Sequence, residues 1–330
     1  MKEPEVSVVV ATYNRCEILP GTLESLINQE GETAYEVIVV DNNSTDDTRR
    51  VIDALREKPG YEKLTYHFEE KQGVSHARNR GIGAARASII AFTDDDIRPA
   101  SNWVSSISEA FKKFPEADCI GGKVLPDPAT KFPAWLTDKY WTPLALLDLG
   151  DQPLKLNVHK GAGLVAANLA VRASVFRDVG LFHSQLQRVK DSIGSMEDHE
   201  YQLRLSAVKK QLMYVPDLVV YAHVLPERLE KDYHRRWYCG HGHFYAVMRD
   251  EEFESSKIRL FDVPSHLYRR TCSNAFDWLK HRLSSNSELE FQQELDMHFF
   301  WGFFRARFAD RRSLLKLGKP GPDKRNHAPQ

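Results

Sequence analysis

Short apolar runs alternate with amphipathic stretches through the first part of the chain. Val6 to Ala11 is a β-branched run of the kind buried on both faces of a sheet. A polar turn, Thr12 to Arg15, follows it, and Ile18, Leu19, Leu23, Leu26 and Ile27 then recur at helical spacing. Val37 to Val40 reads as a second strand ending in Asp41. Asn42 to Asp47 supplies a turn and a helix cap, and Val51, Ile52 and Leu55 mark the helix behind it. Leu64 to Phe68 is a third strand, with a helix from about Ser75 to Ala87 after Gly73. Ile89 to Phe92 is a fourth strand, Pro99 opens a helix running from roughly Ala100 to Lys113, and a strand near Cys119 to Val124 completes the series. This alternation predicts an α/β fold with a mostly parallel sheet and helices on both faces.

Beyond residue 125 the pattern changes. Pro126, Pro128, Pro133, Pro143 and Pro153 interrupt a connector in which Trp135, Tyr140 and Trp141 cluster; such rings suit either a sugar face or the filling under a long loop. Leu164 to Val171 predicts a strand, and Ser174 starts a short helix ending at Gly180. Gln185 to Ser195 is polar and aperiodic, as expected of a mobile loop. Tyr201, Leu203 and Leu205 give the next stretch a buried stripe, which places Glu197 and Asp198 in the first turn of a helix. Leu212 to Val215 and Leu218 to Tyr221 read as two short strands, the second followed by His223. Residues 260 to 317 read as helical, and the last dozen as disordered.

The chemistry collects where strands end. Thr12 to Arg15, Asp41 and the triplet Asp94, Asp95 and Asp96 all follow strands, and in open α/β sheets that rim is where ligands bind. Three adjacent carboxylates repel one another unless a cation sits among them. The plainer alternative is that they cap the next helix, for which one aspartate is enough. His223, just past a strand end on the same rim, is a candidate third ligand.

Composition narrows the partners. A formal net charge of -1 carries no global field for nucleic acid. No run approaches the ~20 apolar residues needed to span a bilayer, and Met1 to Glu5 leads into the first strand with no signal peptide, so a cytoplasmic protein is expected. Cys16, Cys119, Cys239 and Cys272 lie far apart with no C-x-x-C pair, the usage of reduced thiols. Ala11 to Glu17 holds no glycine, which removes the dinucleotide fingerprint. Gly81-Ile-Gly83 sits inside a helical pattern and is read as close helix packing. No P-loop is present.

Val6-Ser-Val-Val-Val-Ala-Thr-Tyr-Asn-Arg15, Glu36-Val-Ile-Val-Val-Asp-Asn-Asn-Ser-Thr45, Gly73-Val-Ser-His-Ala-Arg-Asn-Arg-Gly81 and Phe92-Thr-Asp-Asp-Asp96 resemble, in order and spacing, the opening blocks of the family 2 glycosyltransferases. The resemblance covers residues 6 to 99 and implies an inverting enzyme of the GT-A type, a Rossmann-like fold, followed here by a C-terminal helical region. It implies nucleotide contacts from Thr12, Tyr13, Arg15, Asp41, Arg78, Asp94 and Asp95, with Mn2+ or Mg2+ held by Asp94 and Asp96 and completed by His223. It also assigns Asn168 and Arg172 to the block before the catalytic helix, and a general base to Asp198 with Glu197 as the alternate. Trp135, Gly163 and Glu197 are taken as acceptor or sugar contacts.

The expected reaction is transfer of a sugar from a nucleotide-diphosphate donor, UDP by family default, to a glycan, lipid-linked or small-molecule acceptor. The rivals are a nucleotidyltransferase on a related fold and a non-catalytic nucleotide-sugar binding protein. Residues 1–125 are expected to form the donor half, 126–225 the acceptor and catalytic half, 226–317 the helical region and 318–330 a disordered tail. Tyr233 stands where processive relatives carry Gln, and either Arg235 or Arg236 is expected to reach the diphosphate. Gly240-His-Gly-His243 lacks neighbouring acids and is not read as a metal site. Phe299 to Phe304, followed by Arg305, Arg307, Arg311, Arg312, Lys316 and Lys319, suits peripheral contact with an anionic membrane, or packing on the catalytic domain or in a homo-oligomer.

Overall fold

The computed structural model describes residues 3–160, 163–187, 193, 196–249 and 251–316. They divide into two compact units, residues 1–234 and 235–330, with the division inside one helix. The first unit begins with the alternating series: β1 (Val6–Thr12), α1 (Leu19–Ile27), β2 (Tyr35–Asp41), α2 (Thr48–Arg56), β3 (Leu64–Phe68), α3 (Val74–Ala84) and β4 (Ile89–Asp94). It continues through β5 (Ile97–Pro99), α4 (Trp103–Lys113), β6 (Cys119–Pro126), β7 (Leu154–Leu156), β8 (Leu169–Arg172), α5 (Ala173–Val179), α6 (Glu197–Ala207) and β9 (Leu212–Ala222).

Among the described residues these nine strands make one sheet in the order β3-β2-β1-β4-β8-β6-β9-β5, with β7 also paired to β9. β3, β2, β1 and β4 run parallel, and β8 lies antiparallel between β4 and β6. The β-branched residues of β1 and β2 are buried on both faces, as a sheet covered by helices requires. Gly81 meets that covering directly: a Cβ there would stand 2.3 Å from Val9 Cγ1, so α3 lies close on β1. The core behind the rim is aromatic, with Phe182 packed at 5.4 Å from Phe92 and 4.7 Å from Tyr201.

Three expectations change. Pro99 ends an edge strand, β5, where a missing N–H is tolerated, and the helix starts only at Trp103. The strand expected from Leu164 begins at Leu169, because the preceding backbone is drawn onto α6: Leu164 N donates to Gln202 Oε1 at 2.7 Å. The two short strands near 212–221 are one, β9, whose register against β6 shifts around Pro216.

The second unit contains most of α7 (Lys231–Met248), then α8 (Glu251–Glu254), a small hairpin of β10 (Arg259–Leu260) and β11 (Val263–Pro264), α9 (Ser265–Leu283) and α10 (Ser287–Lys316). α7 and α10 cross at two glycines. A Cβ on Gly242 would fall 1.9 Å from Phe299 O, and one on Gly302 would fall 1.8 Å from Cys239 O. Gly240 to His243 therefore marks a helix crossing. The aromatic run of α10 turns inward, with Phe300 and Phe303 buried beside Ala246 and Leu267, and Arg307 is buried between Glu254 and Asp262. The rings read as suited either to a membrane surface or to packing against protein thus help build this unit's core, with Trp301 left 61% exposed. Lys319, the 318–330 tail and most of the 185–195 stretch lie outside the described residues.

Candidate active site

Strand register assembles the rim. The parallel pairing of β1 with its two neighbours sets Thr12 opposite Asp41 and Ala11 opposite Asp94. On the other side, β5 pairs with β9 so that Ile97 faces Ala222, and His223 N donates to Asp96 O at 2.9 Å. Segments more than a hundred residues apart in sequence are thus brought to one edge by backbone pairing alone.

The loops above this edge are laced together. Asn42 N donates to Thr12 O at 2.8 Å, its amide donates to Lys71 O at 2.7 Å, and its Oδ1 accepts from Gly73 N at 2.7 Å. Asn14, in the left-handed region at φ 52°, accepts from Thr45 N at 2.8 Å. Asp41 is buried and accepts from Ser44 N at 2.9 Å and from Tyr66 Oη at 3.1 Å. A carboxylate offers about four acceptor positions, so capacity remains for a ligand. Tyr13 stands half-buried beside these loops.

Each aspartate of the triplet faces an arginine from a different part of the chain. Arg78 Nη2 reaches Asp94 Oδ1 at 3.2 Å, Arg15 Nε stands 3.8 Å from Asp95 Oδ1, and Arg228 Nη2 stands 3.9 Å from Asp96 Oδ2. The compensation is incomplete: burial and the Asp96 charge push the Asp95 carboxyl up to about 7. A rim of hard oxygen donors with excess negative charge fits a divalent cation. Among the described residues, however, no group of three or more His, Cys, Asp or Glu side chains is arranged to hold a metal. His223 is exposed, while Asp94 and Asp96 are turned toward arginines.

Arg78 also reaches the other half of the site. Its Nη1 donates to Glu197 Oε1 at 2.7 Å, with both side chains almost wholly buried. That bond holds the start of α6 against the rim and brings Asp198 near the same guanidinium. Asp198 accepts from its neighbour His199 N at 2.8 Å and, at 3.4 Å, from Ala166 N. Burial raises its pKa, partly opposed by the Arg78 charge. Gly163 sits beside this turn, with its Cβ position 3.1 Å from Gln202 Oε1.

Other candidates have packing or hydrogen-bond partners of their own. Trp135 packs edge-on against the buried Tyr140 and against His234, and the His234 ring meets Arg228 O at 3.2 Å. Trp135 itself stays half-buried. Asn168 accepts from Trp103 Nε1 at 2.8 Å and donates to Lys123 O and Leu218 O, which fixes it as a core polar residue. Asn79 exchanges hydrogen bonds with the Phe182 backbone far along the chain. Arg235 pairs with Glu294 at 2.9 Å. Arg228 is the rim arginine that sequence reading passed over; its signal was its place five residues beyond the strand-end His223.

Removing Arg78 strands a buried carboxylate. Arg78→Ala is expected to cost about 3–5 kcal/mol in urea unfolding, with most of the loss recovered when Glu197→Gln is added. A loss under about 1 kcal/mol would show that the pair does not bear on the fold.

A family model described as "Glycosyl transferase family 2" matches residues 7–179. The glucosyl-dolichyl phosphate glucuronosyltransferase of Haloferax volcanii is 27% identical over 191 residues, covering 57% of this chain and 58% of that protein. Glycosyltransferase AglE of the same organism is 33% identical over 192 residues, covering 56% of this chain and 57% of its own length. The match thus spans less than two thirds of these curated relatives. Among solved structures, the mannosyltransferase PcManGT from Pyrobaculum calidifontis, in complex with GDP-Man and Mn2+, superposes with a TM-score of 0.55 at 18% identity, over 97% of this chain and 77% of that one. At that identity the likeness speaks for the GT-A fold alone. The family match runs over more than half of the sequence and includes β2, β4, β5 and nearly all of β1, and on that ground the chain belongs to glycosyl transferase family 2.

Proposed function

We propose that this glycosyltransferase moves a sugar from a nucleotide-diphosphate donor, in the first instance a UDP-sugar, to an acceptor hydroxyl with inversion at the anomeric carbon. The observation that carries the reading is the double engagement of Arg78, which holds the first turn of α6 against the acids at the strand ends. Thr12, Tyr13 and Asp41 bind base and ribose: Tyr13 offers a ring face, and Asp41 accepts from an imide N–H. Asp94 and Asp96, with His223 at the neighbouring strand end, would hold Mn2+ or Mg2+. Such a cation, when bound, offsets charge on the departing diphosphate. Arg15 and Arg228 stand just outside close contact with their aspartates and serve the diphosphate oxygens from two sides.

Asp198 is the base. It takes the proton from the acceptor hydroxyl as that oxygen bonds to the anomeric carbon and the bond from that carbon to the diphosphate breaks. Its raised pKa strengthens it for this role. Glu197, bound to Arg78, positions the turn. The acceptor is a glycan, lipid-linked or small-molecule hydroxyl. One relative acts, by its name, on a glucosyl-dolichyl phosphate, which favours a lipid-linked one. Family membership displaces the nucleotidyltransferase reading, and the acids beside the first turn of α6 speak against a purely binding role.

Asp198→Asn is expected to lower turnover about 10²–10⁴-fold while UDP affinity, read by calorimetry, stays within error; near-normal turnover would remove the base assignment. Because the Asp198 pKa is raised, the base is lost to protonation as pH falls through a value above the ordinary 3.8. The acid limb of kcat/KM should therefore lie above that value, and a limb at or below it would point to another base. Asp96→Ala should abolish the gain in UDP affinity on adding Mn2+; an unchanged gain in calorimetry would move the ion elsewhere.

A further inference from the structure

The second unit carries an apolar face that its own core leaves uncovered. On α9, Leu267 is buried and Tyr268 stacks on Phe304 of α10 at 5.0 Å, so one side of the helix is committed to the interior. Phe276, Leu279 and Leu283 recur at i, i+3 and i+7 on the opposite side, with exposures of 70%, 47% and 78%. A helix needs one apolar stripe to pack; this one has two.

Charge identifies what covers the second stripe. α9 contains Arg269, Arg270, Lys280 and Arg282 against the single acid Asp277. Arg282 reaches Glu290 at 3.7 Å and Arg270 lies over the Phe300 ring, whereas Arg269 and Lys280 flank the exposed stripe and pair with no acid among the described residues. An isologous contact with a second copy would bring two such basic helices together, which like charges oppose. Apolar side chains flanked by cations on a solvent face match the acyl and headgroup layers of an anionic bilayer. A second apolar group lies at the start of the same helix: Ile258, just before β10, is exposed with Leu260 and Phe261 of the β10–β11 hairpin, which is tied to α9 by Tyr268 Oη donating to Leu260 O at 2.9 Å. No helix among the described residues is long and apolar enough to cross a membrane, so attachment through this unit would be by lying on the surface.

We propose that the outer face of α9 docks on anionic phospholipid surfaces through Phe276, Leu279 and Leu283, with Arg269 and Lys280 at the headgroups. The face differs from the aromatic run of α10, whose rings lie inside. The test uses the full chain and vesicles without donor or acceptor, so its outcome is independent of the transfer chemistry. Flotation with phosphatidylcholine vesicles containing about 30% phosphatidylglycerol should capture the protein, and pure phosphatidylcholine should not. Phe276→Ser/Leu279→Ser/Leu283→Ser should lower partitioning about tenfold or more, with an unchanged circular dichroism spectrum and melting temperature. If that variant fails to fold, Arg269→Glu/Lys280→Glu decides: it should lower binding similarly, and raising salt from about 0.1 M to about 1 M should release the wild type. Absence of wild-type binding to the anionic vesicles, or wild-type partitioning by either folded variant, overturns the proposal. So does a wild-type dimer that the triple variant converts to monomer in light scattering, which would give the face to a second copy.

Discussion

Negative charge at the end of a sheet must be compensated, and this protein does it with guanidinium groups drawn from three separate segments. Arg15 comes from the loop after β1, Arg78 from α3 and Arg228 from the turn after β9, and each is set against one member of the aspartate triplet. Arg78 matters most because it is shared and almost wholly buried. Its second carboxylate partner, Glu197, begins a helix from the far half of the unit. Without that shared cation, two clusters of acid would face each other across the rim at close range and low dielectric. The arginine ties the strand-end acids to the first turn of α6.

Backbone order at the rim was legible because it is local and periodic. β-branched runs with acids just behind them specify parallel strands whose ends carry polar groups, and the register of β1 against β2 and β4 did the rest. Side-chain partnership was less legible. Arg78 was expected to face the nucleotide, but nothing in the order of residues marks a partner 119 positions away. Asn42 looked like an ordinary turn former, yet it joins three chain segments. Arg228 stands 3.9 Å from Asp96 with no motif around it, and only the third dimension distinguishes it. The packing of Trp135 was open in the same way: a ring in a proline-rich connector suits a sugar face or loop filling, and only the fold shows Tyr140 and His234 edge-on against it.

The C-terminal unit follows a different logic. Its aromatic and basic residues invited a surface reading of α10, but two glycines let α7 and α10 approach so closely that the rings had to go inward. Basic composition alone does not tell a buried arginine such as Arg307, held by Glu254 and Asp262, from one left in solvent such as Arg269. The helix whose outer side stays bare, α9, has the less conspicuous sequence.

The cross-lacing of the rim loops bears on how this enzyme type can diversify. Asn14 reaches Thr45, and Asn42 reaches both the Thr12 carbonyl and Gly73, so the turns after β1, β2 and β3 are one mechanical body. A graft that replaces one of these turns severs hydrogen bonds belonging to the other two. The three turns are therefore inherited as a block, and an engineer recasting this rim would have to transplant all of them at once.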